Sequence, residues 1–367
     1  MTGRHIYRWV AKALLFFLGG ILLMELFFRF VIRADQRPVS IRTDQGIMLF
    51  DTSIARTGYT TIGRRPLTRF RWHINDQGWN STVDYLSPDE RERPLIAVVG
   101  DSHVENLQSD VGQSIASHLQ RMVGDDYLVY GFGKADQSML QDLLVMEYVD
   151  SLYEPDTYVL VLGGDVLRRS IMPDRAITYN YLVPSDSGFS IAPPAPRISS
   201  DLADLALKSA FVRYLRFNTR LDLFPLFSIP EDFQNLNVGL SEAEVQELMP
   251  EAADYILERI SHQFGDKGVI IYLNFFVSRY RIYDDWKTRV RGLPDMPLDY
   301  SIIMNRVPEY RGLECVDSYQ AFAEEWAVNH ERFESPDEKH LSGYGNMIVA
   351  RDILEHLRTT VGVGANI

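Results

Sequence analysis

The chain carries one cysteine in 367 residues, Cys315. That excludes an intrachain disulfide and a cysteine-based zinc site, and it leaves Cys315 to be a small buried hydrophobe within Leu313-Glu314-Cys315-Val316. Positive charge is also scarce, with 37 Lys and Arg against 50 Asp and Glu and a formal net charge of −13 at pH 7. Binding to phosphate backbones needs clustered cations, so no nucleic-acid partner is expected. A phosphate-binding loop is missing too: Gly163-Gly164-Asp165-Val166-Leu167-Arg168-Arg169 lacks the Lys-Ser/Thr ending. No metal signature is present, and no cofactor is expected.

Apolar residues, by contrast, reach 46% of the composition, enough for a sizeable core. Their longest run, Ala13 to Ile32, is interrupted only by Glu25 and Arg29. A membrane-spanning helix needs roughly 20 mainly apolar residues. This segment reaches that length if Lys12 and Arg29 extend toward the headgroups and Glu25 lies near the outer boundary. Arg4, Arg8 and Lys12 before the run favour a cytoplasmic N-terminus and a main domain that is periplasmic or extracellular; Arg29, Arg33 and Arg37 after it act against that orientation. The competing reading is a cleaved signal peptide, whose small-residue site, Ile32-Arg33-Ala34, is poor. An uncleaved anchor over residues 1–33 is expected.

Residues 34–93 are polar and broken by Pro and Gly, which predicts a lead-in that packs on the main domain, with an edge strand or hairpin near Phe70 to Ile74. From Pro94 the pattern changes. Apolar runs of strand length at Leu95–Val99, Tyr127–Tyr130, Thr157–Leu162, Gly268–Phe276 and Gly312–Val316 alternate with helical segments at Val111–Val123, Gln137–Leu152, Ser241–Phe264, Ser318–Val328 and Gly343–Leu357. Pro250 is a candidate break in the third helix. Such alternation predicts an α/β domain over residues 94–360 with a parallel, doubly wound sheet. The stretch 168–250 interrupts it and reads as a cap or insertion containing a helix over Asp201 to Leu221.

Three of these strands run into glycine turns: Gly100-Asp101-Ser102, Gly131-Phe132-Gly133 and Gly163-Gly164-Asp165. In a parallel sheet all three open on the carboxyl edge, where ligands bind. Ser102 is there a candidate nucleophile, although Asp and Ser at a strand-to-helix turn also serve as helix caps. Near the end, Asp337 and His340 lie three residues apart in a polar loop before the last helix. That spacing lets a carboxylate orient an imidazole as a serine's general base; solvent-exposed loop residues are the alternative.

Together these blocks resemble the SGNH hydrolases, or GDSL esterases and lipases. The matching residues are Gly100-Asp101-Ser102, Gly133 in Gly131-Phe132-Gly133-Lys134, the Leu162-Gly163-Gly164-Asp165 turn, and Asp337-x-x-His340-Leu341, in the family's order. The stretch Trp72 to Asn80 and the Glu25 to Phe30 end of the apolar run look like the membrane-anchored bacterial branch. The resemblance implies a flavodoxin-like three-layer sandwich, Ser102 as nucleophile, His340 as general base and acid, and Asp337 orienting it. It also implies an oxyanion hole made by the backbone N–H groups of Ser102 and Gly133 and by an asparagine of the third block. Here that position holds Gly164 or Asp165, depending on alignment, and neither supplies an amide donor. Asn274 and Asn180 are candidate replacements, and His103 either contacts substrate or faces solvent at the helix start.

The implied activity is that of a membrane-anchored serine esterase or O-acyltransferase acting on acetyl or other acyl esters of an envelope or secreted glycan. The alternative is a catalytically impaired glycan- or partner-binding subunit of an envelope assembly. Expected partners are the acylated substrate, the membrane and, on the alternative reading, envelope proteins.

Overall fold

The computed structural model describes residues 3–64, 68–172, 179–186, 188–194, 206–219, 221, 240–274, 282–283, 296–336 and 340–360. They form two compact units, one of Met1–Arg37, Tyr59–Arg69 and Ile198–Pro230, the other of Pro38–Gly58, Phe70–Arg197 and Glu231–Ile367. These units cut across the composition boundaries at 33, 93 and 168–250. Composition marks where the chain is irregular, whereas contacts record what each irregular stretch packs on.

In the first unit, α1 (Gly3–Leu26) continues into a π-helical turn, Phe27–Val31. The stretch Tyr7–Val31 is long and apolar enough to cross a membrane, and its most apolar part is not buried within the protein. The expected helix over Asp201 to Leu221 is described only from residue 206, where Ala210–Arg213 is α-helical and Tyr214–Asn218 π-helical.

The second unit is built on five parallel strands: β1 (Leu95–Gly100), β2 (Leu128–Gly133), β3 (Thr157–Leu162), β4 (Val269–Leu273) and β5 (Leu313–Asp317). Their spatial order is β2-β1-β3-β4-β5. This is the flavodoxin-like order, with the switch point between β1 and β3. Both faces of the sheet are covered, which is why the strands read as unbroken apolar runs. Leu95, Ala97 and Val99 of β1 join one hydrophobic cluster with residues of α4 (Met139–Tyr153), α5 (Val166–Ile171), α6 (Glu242–Phe264) and α7 (Leu298–Arg306). Ile96 and Val98 join the opposite cluster with α3 (Ile115–Val123), α8 (Tyr319–Asn329) and α9 (Gly343–Thr360).

Several boundaries move from those expected. Gly131-Phe132-Gly133 is not a turn after β2 but its last three residues. A four-residue helix, α2 (Ser102–Glu105), follows β1 directly, and Val111–Gln113 is a separate 3-10 turn before α3. Pro250 does not break α6. Within the expected insertion lies an antiparallel hairpin, Tyr181–Ser185 with Gly188–Ala192. In the lead-in, Ser40–Arg42 pairs antiparallel with Met48–Phe50.

Gly100 pairs with Val161 of β3, and a Cβ there would lie 2.4 Å from the Val161 carbonyl oxygen. Backbone cannot yield as a side chain can. Gly100→Ala is therefore expected to lower stability by about 1–3 kcal/mol, read as a lower urea midpoint; an unchanged midpoint would show that the strands separate freely there.

Candidate active site

The site begins at the carboxyl end of β1. Asp101 caps α2, its Oδ1 accepting from the His103 N–H at 3.0 Å, and this places Ser102 first in the helix. The helix closes after one turn because Asn106 adopts the left-handed conformation, φ 55°, and donates its N–H to the Ser102 carbonyl. The short helix thus holds the Ser102 hydroxyl at the switch point of the sheet.

His340 arrives from the other end of the chain. Its carbonyl accepts from Ser335 N–H at 2.7 Å, and its neighbour Leu341 is buried and bridged to Glu334. Directly after, Ser342 starts α9, with Asn346 N–H donating to its carbonyl. His340 Nε2 lies 3.1 Å from Ser102 Oγ, a hydrogen bond across 238 residues of sequence. Asp337, expected to orient this imidazole, lies outside the described residues.

Three buried asparagines fix the two halves of this pair. Asn346 of α9 donates to Asn106 Oδ1 at 2.9 Å and to the Gln113 carbonyl at 2.9 Å. Asn80, from the lead-in, donates to the Glu105 carbonyl at 2.8 Å and the Asn106 carbonyl at 3.2 Å. The helix bearing Ser102 is therefore tied at its far end to the helix that follows His340. Sequence reasoning missed Asn106 and Asn346; the one available signal is their polarity in stretches otherwise destined for burial.

The glycines of the other two blocks permit close approach. A Cβ on Gly133 would lie 2.2 Å from the Glu105 amide nitrogen, and one on Gly163 would lie 2.5 Å from Asp101 Oδ2. Next to Gly133, the Lys134 ammonium is buried 3.2 Å from Glu105 and 3.0 Å from Ser40 Oγ, over the Phe50 ring. Burial lowers the Lys134 pKa to about 8, with the Glu105 carboxylate opposing the shift.

The third turn brings no side-chain amide. Gly164 is half-buried and its carbonyl accepts from Arg169 Nη2 at 2.7 Å. Asp165 is exposed, in the left-handed conformation at φ 62°, and its side chain caps nothing. Near Asp101 and Arg169, Asp142 is buried with neither carboxylate oxygen hydrogen-bonded among the described residues. Burial, reinforced by the charge of Asp101, pushes the Asp142 carboxyl well above the usual carboxylate range. Asn274 is enclosed beyond β4 with its N–H on the Leu162 carbonyl, and both polar atoms of its side chain lack a partner among the described residues. Asn180 is also buried, its N–H on Gln141 Oε1 at 3.4 Å. His103 does not face solvent: it is 7% exposed, its ring 5.4 Å from that of His340. Cys315 is half-buried, its thiol pushed up to about 12 by burial and by Asp317 and Glu314. No group of metal-binding side chains occurs among the described residues.

A hydroxyl hydrogen-bonded to an imidazole is the minimal arrangement for nucleophilic acyl transfer. No protein-family model and no curated protein matches the sequence. Among solved structures, the chain is similar to an alpha/beta hydrolase enzyme from the metagenome of Lake Arreo, at 13% identity and a TM-score of 0.38, over 74% of this chain and 97% of that one. A carbohydrate acetylesterase family member from Sinorhizobium meliloti shares 13% identity with a TM-score of 0.33, over 73% and 99% of the chains. A lipolytic G-D-S-L family protein from Veillonella parvula shares 12% with a TM-score of 0.36, over 71% and 96%. Similarity this slight assigns neither fold nor reaction; strand order and the Ser102–His340 contact stand without it.

Two outcomes test the surroundings of the pair. Because the Lys134 pKa falls from 10.5 to about 8 on folding, the native state releases that proton first. Its contribution to stability is complete above the unfolded value and is lost as pH falls through the folded one. Stability should therefore rise with pH between these values, and Lys134→Met should flatten the rise in urea titrations; identical slopes would remove Lys134 as the source. Asn346→Ala should cost about 1–3 kcal/mol, the range for buried groups left unpaired, in the same titrations, while an undiminished midpoint would mean that the tie to Asn106 contributes nothing.

Proposed function

We propose that this protein is an SGNH-type ester hydrolase or O-acyltransferase, held to a membrane by α1 and acting outside the cytoplasm on acyl esters, acetyl foremost, of an envelope or secreted glycan. The observation that carries the chemistry is the 3.1 Å contact between Ser102 Oγ and His340 Nε2 at the switch point of the sheet. The order of the glycine blocks supports the family, and the apolar length of Tyr7–Val31 supports the anchor.

In this reading Ser102 Oγ attacks the ester carbonyl carbon while His340 Nε2 takes the hydroxyl proton. The tetrahedral oxyanion meets the backbone N–H groups of Ser102 and Gly133. On collapse the alcohol leaves with the proton from His340, and the acyl group stays on Ser102. Water or a sugar hydroxyl then attacks the acyl-enzyme and loses its proton to His340, which passes it to Ser102 Oγ as the Oγ–acyl bond breaks and the acyl group leaves as acid or as a new ester. Asp337 orients the imidazole. The absent amide at Gly164 or Asp165 removes one oxyanion donor, worth about 10²–10³ in rate.

That absence favours a second reading, in which the same site belongs to a binding module for glycan or for an envelope partner. Fluorophosphonate labelling separates the two. On the enzymatic reading the full chain labels and hydrolyses p-nitrophenyl acetate, Ser102→Ala abolishes labelling, and His340→Gln slows turnover by about 10³-fold or more. Labelling that persists in Ser102→Ala overturns the role of Ser102; a folded chain that neither labels nor turns over, yet is retained on immobilised glycan, establishes the second reading.

A further inference from the structure

The unit containing α1 reverses the charge balance of the chain. Beyond the apolar helix, the segment Phe27–Arg37 holds three arginines, Tyr59–Arg69 three more, and residues 198–230 Lys208 and three arginines. Four aspartates are the only acidic residues in the same segments, in a protein of net charge −13. The arrangement of the charges is more telling than their number.

Within this unit the described carboxylates are turned inward. Glu25, near the end of α1, accepts from the Ser209 hydroxyl at 2.7 Å and from the N–H groups of Ala210 at 3.0 Å and Phe211 at 3.2 Å, and it pairs with Arg29. Asp35 is fully buried, accepting from Thr61 N–H at 3.1 Å and Arg37 N–H at 2.9 Å. Stacking of Phe28 on Tyr214, with ring centroids 4.2 Å apart, adds an apolar contact beside Glu25. Residues 209–214 are therefore fastened to the end of α1.

Arg29 and Arg37 pair with these carboxylates, and Arg213 is half-buried with its guanidinium on backbone carbonyls, but three other cations are turned outward. Arg33, Arg64 and Lys208 are exposed, and none has an ion pair among the described residues. Arg37 pairs with Asp35 at 3.6 Å and lies over the Phe217 ring, 5.3 Å from its centroid, and Arg69 lies over Tyr59 at 5.7 Å. Stacking on Tyr59 holds the Arg69 guanidinium in place by a contact that carries no opposing charge. Cations and aromatic rings gathered where an apolar helix ends form the composition that suits a membrane–water interface.

We propose that this unit is a basic collar, carried on the end of the anchor, that binds the phosphate headgroups of anionic phospholipids in the leaflet where α1 emerges. The proposal rests on the reading of α1 as a membrane anchor and holds for either orientation of it. It also accounts for cations on both sides of the apolar run. Those after it belong to a folded unit, so they do not report orientation as loose flanking residues would.

The full chain, purified in a neutral detergent, is offered phosphatidylglycerol and phosphatidylcholine at equal concentration and its bound lipids are counted by native mass spectrometry. The expected result is a preference for phosphatidylglycerol of an order of magnitude or more, since each Lys or Arg at an anionic surface contributes about fivefold. The combined variant Arg33→Gln, Arg64→Gln, Lys208→Gln should fall near parity with an unchanged melting curve, while Arg311→Gln, an exposed cation of the other unit, should keep the preference. Equal binding of both lipids by the natural chain, or an undiminished preference in the triple variant, overturns the collar. Displacement of phosphatidylglycerol by millimolar inorganic phosphate makes the site a free-anion site and overturns its assignment to membrane lipid. Alkaline carbonate extraction of membranes reads the anchor separately: release of the natural chain contradicts the anchor whatever the lipid preference, and retention with no preference contradicts the collar alone.

Discussion

The hydrogen bond between Ser102 and His340 is the contact on which the functional account depends, and it exists only because a sheet assembles between the two residues. Neither partner holds the other. Ser102 is set by the end of β1 and by a single helical turn that Asp101 opens and Asn106 closes. His340 is set by a loop bridged through Glu334 and Leu341 and by the start of α9. Asn346 then joins the two supports through Asn106. A hydroxyl and an imidazole kept 3.1 Å apart in this way are placed before substrate arrives, and such preorganisation is a large part of what an active site contributes to rate.

The glycines serve the same end by letting backbone approach backbone. At Gly133 the strand end lies against the amide of Glu105, and at Gly163 the turn lies against the carboxylate of Asp101. A side chain at either position would push α2 away from the sheet edge. Around this packed centre the protein buries charge in pairs, Lys134 with Glu105 at 3.2 Å and Arg169 with Asp101 at 3.8 Å. Removing one member of such a pair strands the other, so these residues restrict the centre to one arrangement more than they add net stability. Where the resemblance calls for an amide, the third turn instead presents the half-buried Gly164 and the exposed Asp165. The energetic weight of that difference falls on transition-state charge and leaves the Ser102–His340 contact intact.

Much of this architecture was legible from the sequence, because a strand covered on both faces has no room for polar residues. Leu95 to Val99 and Thr157 to Leu162 announce themselves that way, and the glycines after them mark the edge. His340 was legible from a polar loop placed just before an amphipathic helix. What stayed hidden depends on partners distant in sequence. Gly131-Phe132-Gly133 reads as a turn, yet it remains strand because it pairs in register with Val98, Val99 and Gly100 of β1, while the Tyr85 hydroxyl donates to the Gly131 carbonyl at 2.7 Å and accepts from its N–H at 3.1 Å. The four residues of α2 are too few for any periodicity to show. The pairing of Lys134 with Glu105, and the capture of Ser209 by Glu25, follow no local rule of spacing. The sequence leaves His103 open between substrate contact and solvent, because nothing beside it in the chain announces the His340 ring 5.4 Å from its own.

The most direct test of the account is to expose the full chain briefly to a small acyl ester, quench in acid, and map any added mass. The account predicts one acyl group, carried on the peptide containing Ser102, that decays on return to neutral buffer and fails to form in His340→Gln. Acyl mass on another residue, or turnover of the ester with Ser102 replaced by alanine, would contradict it.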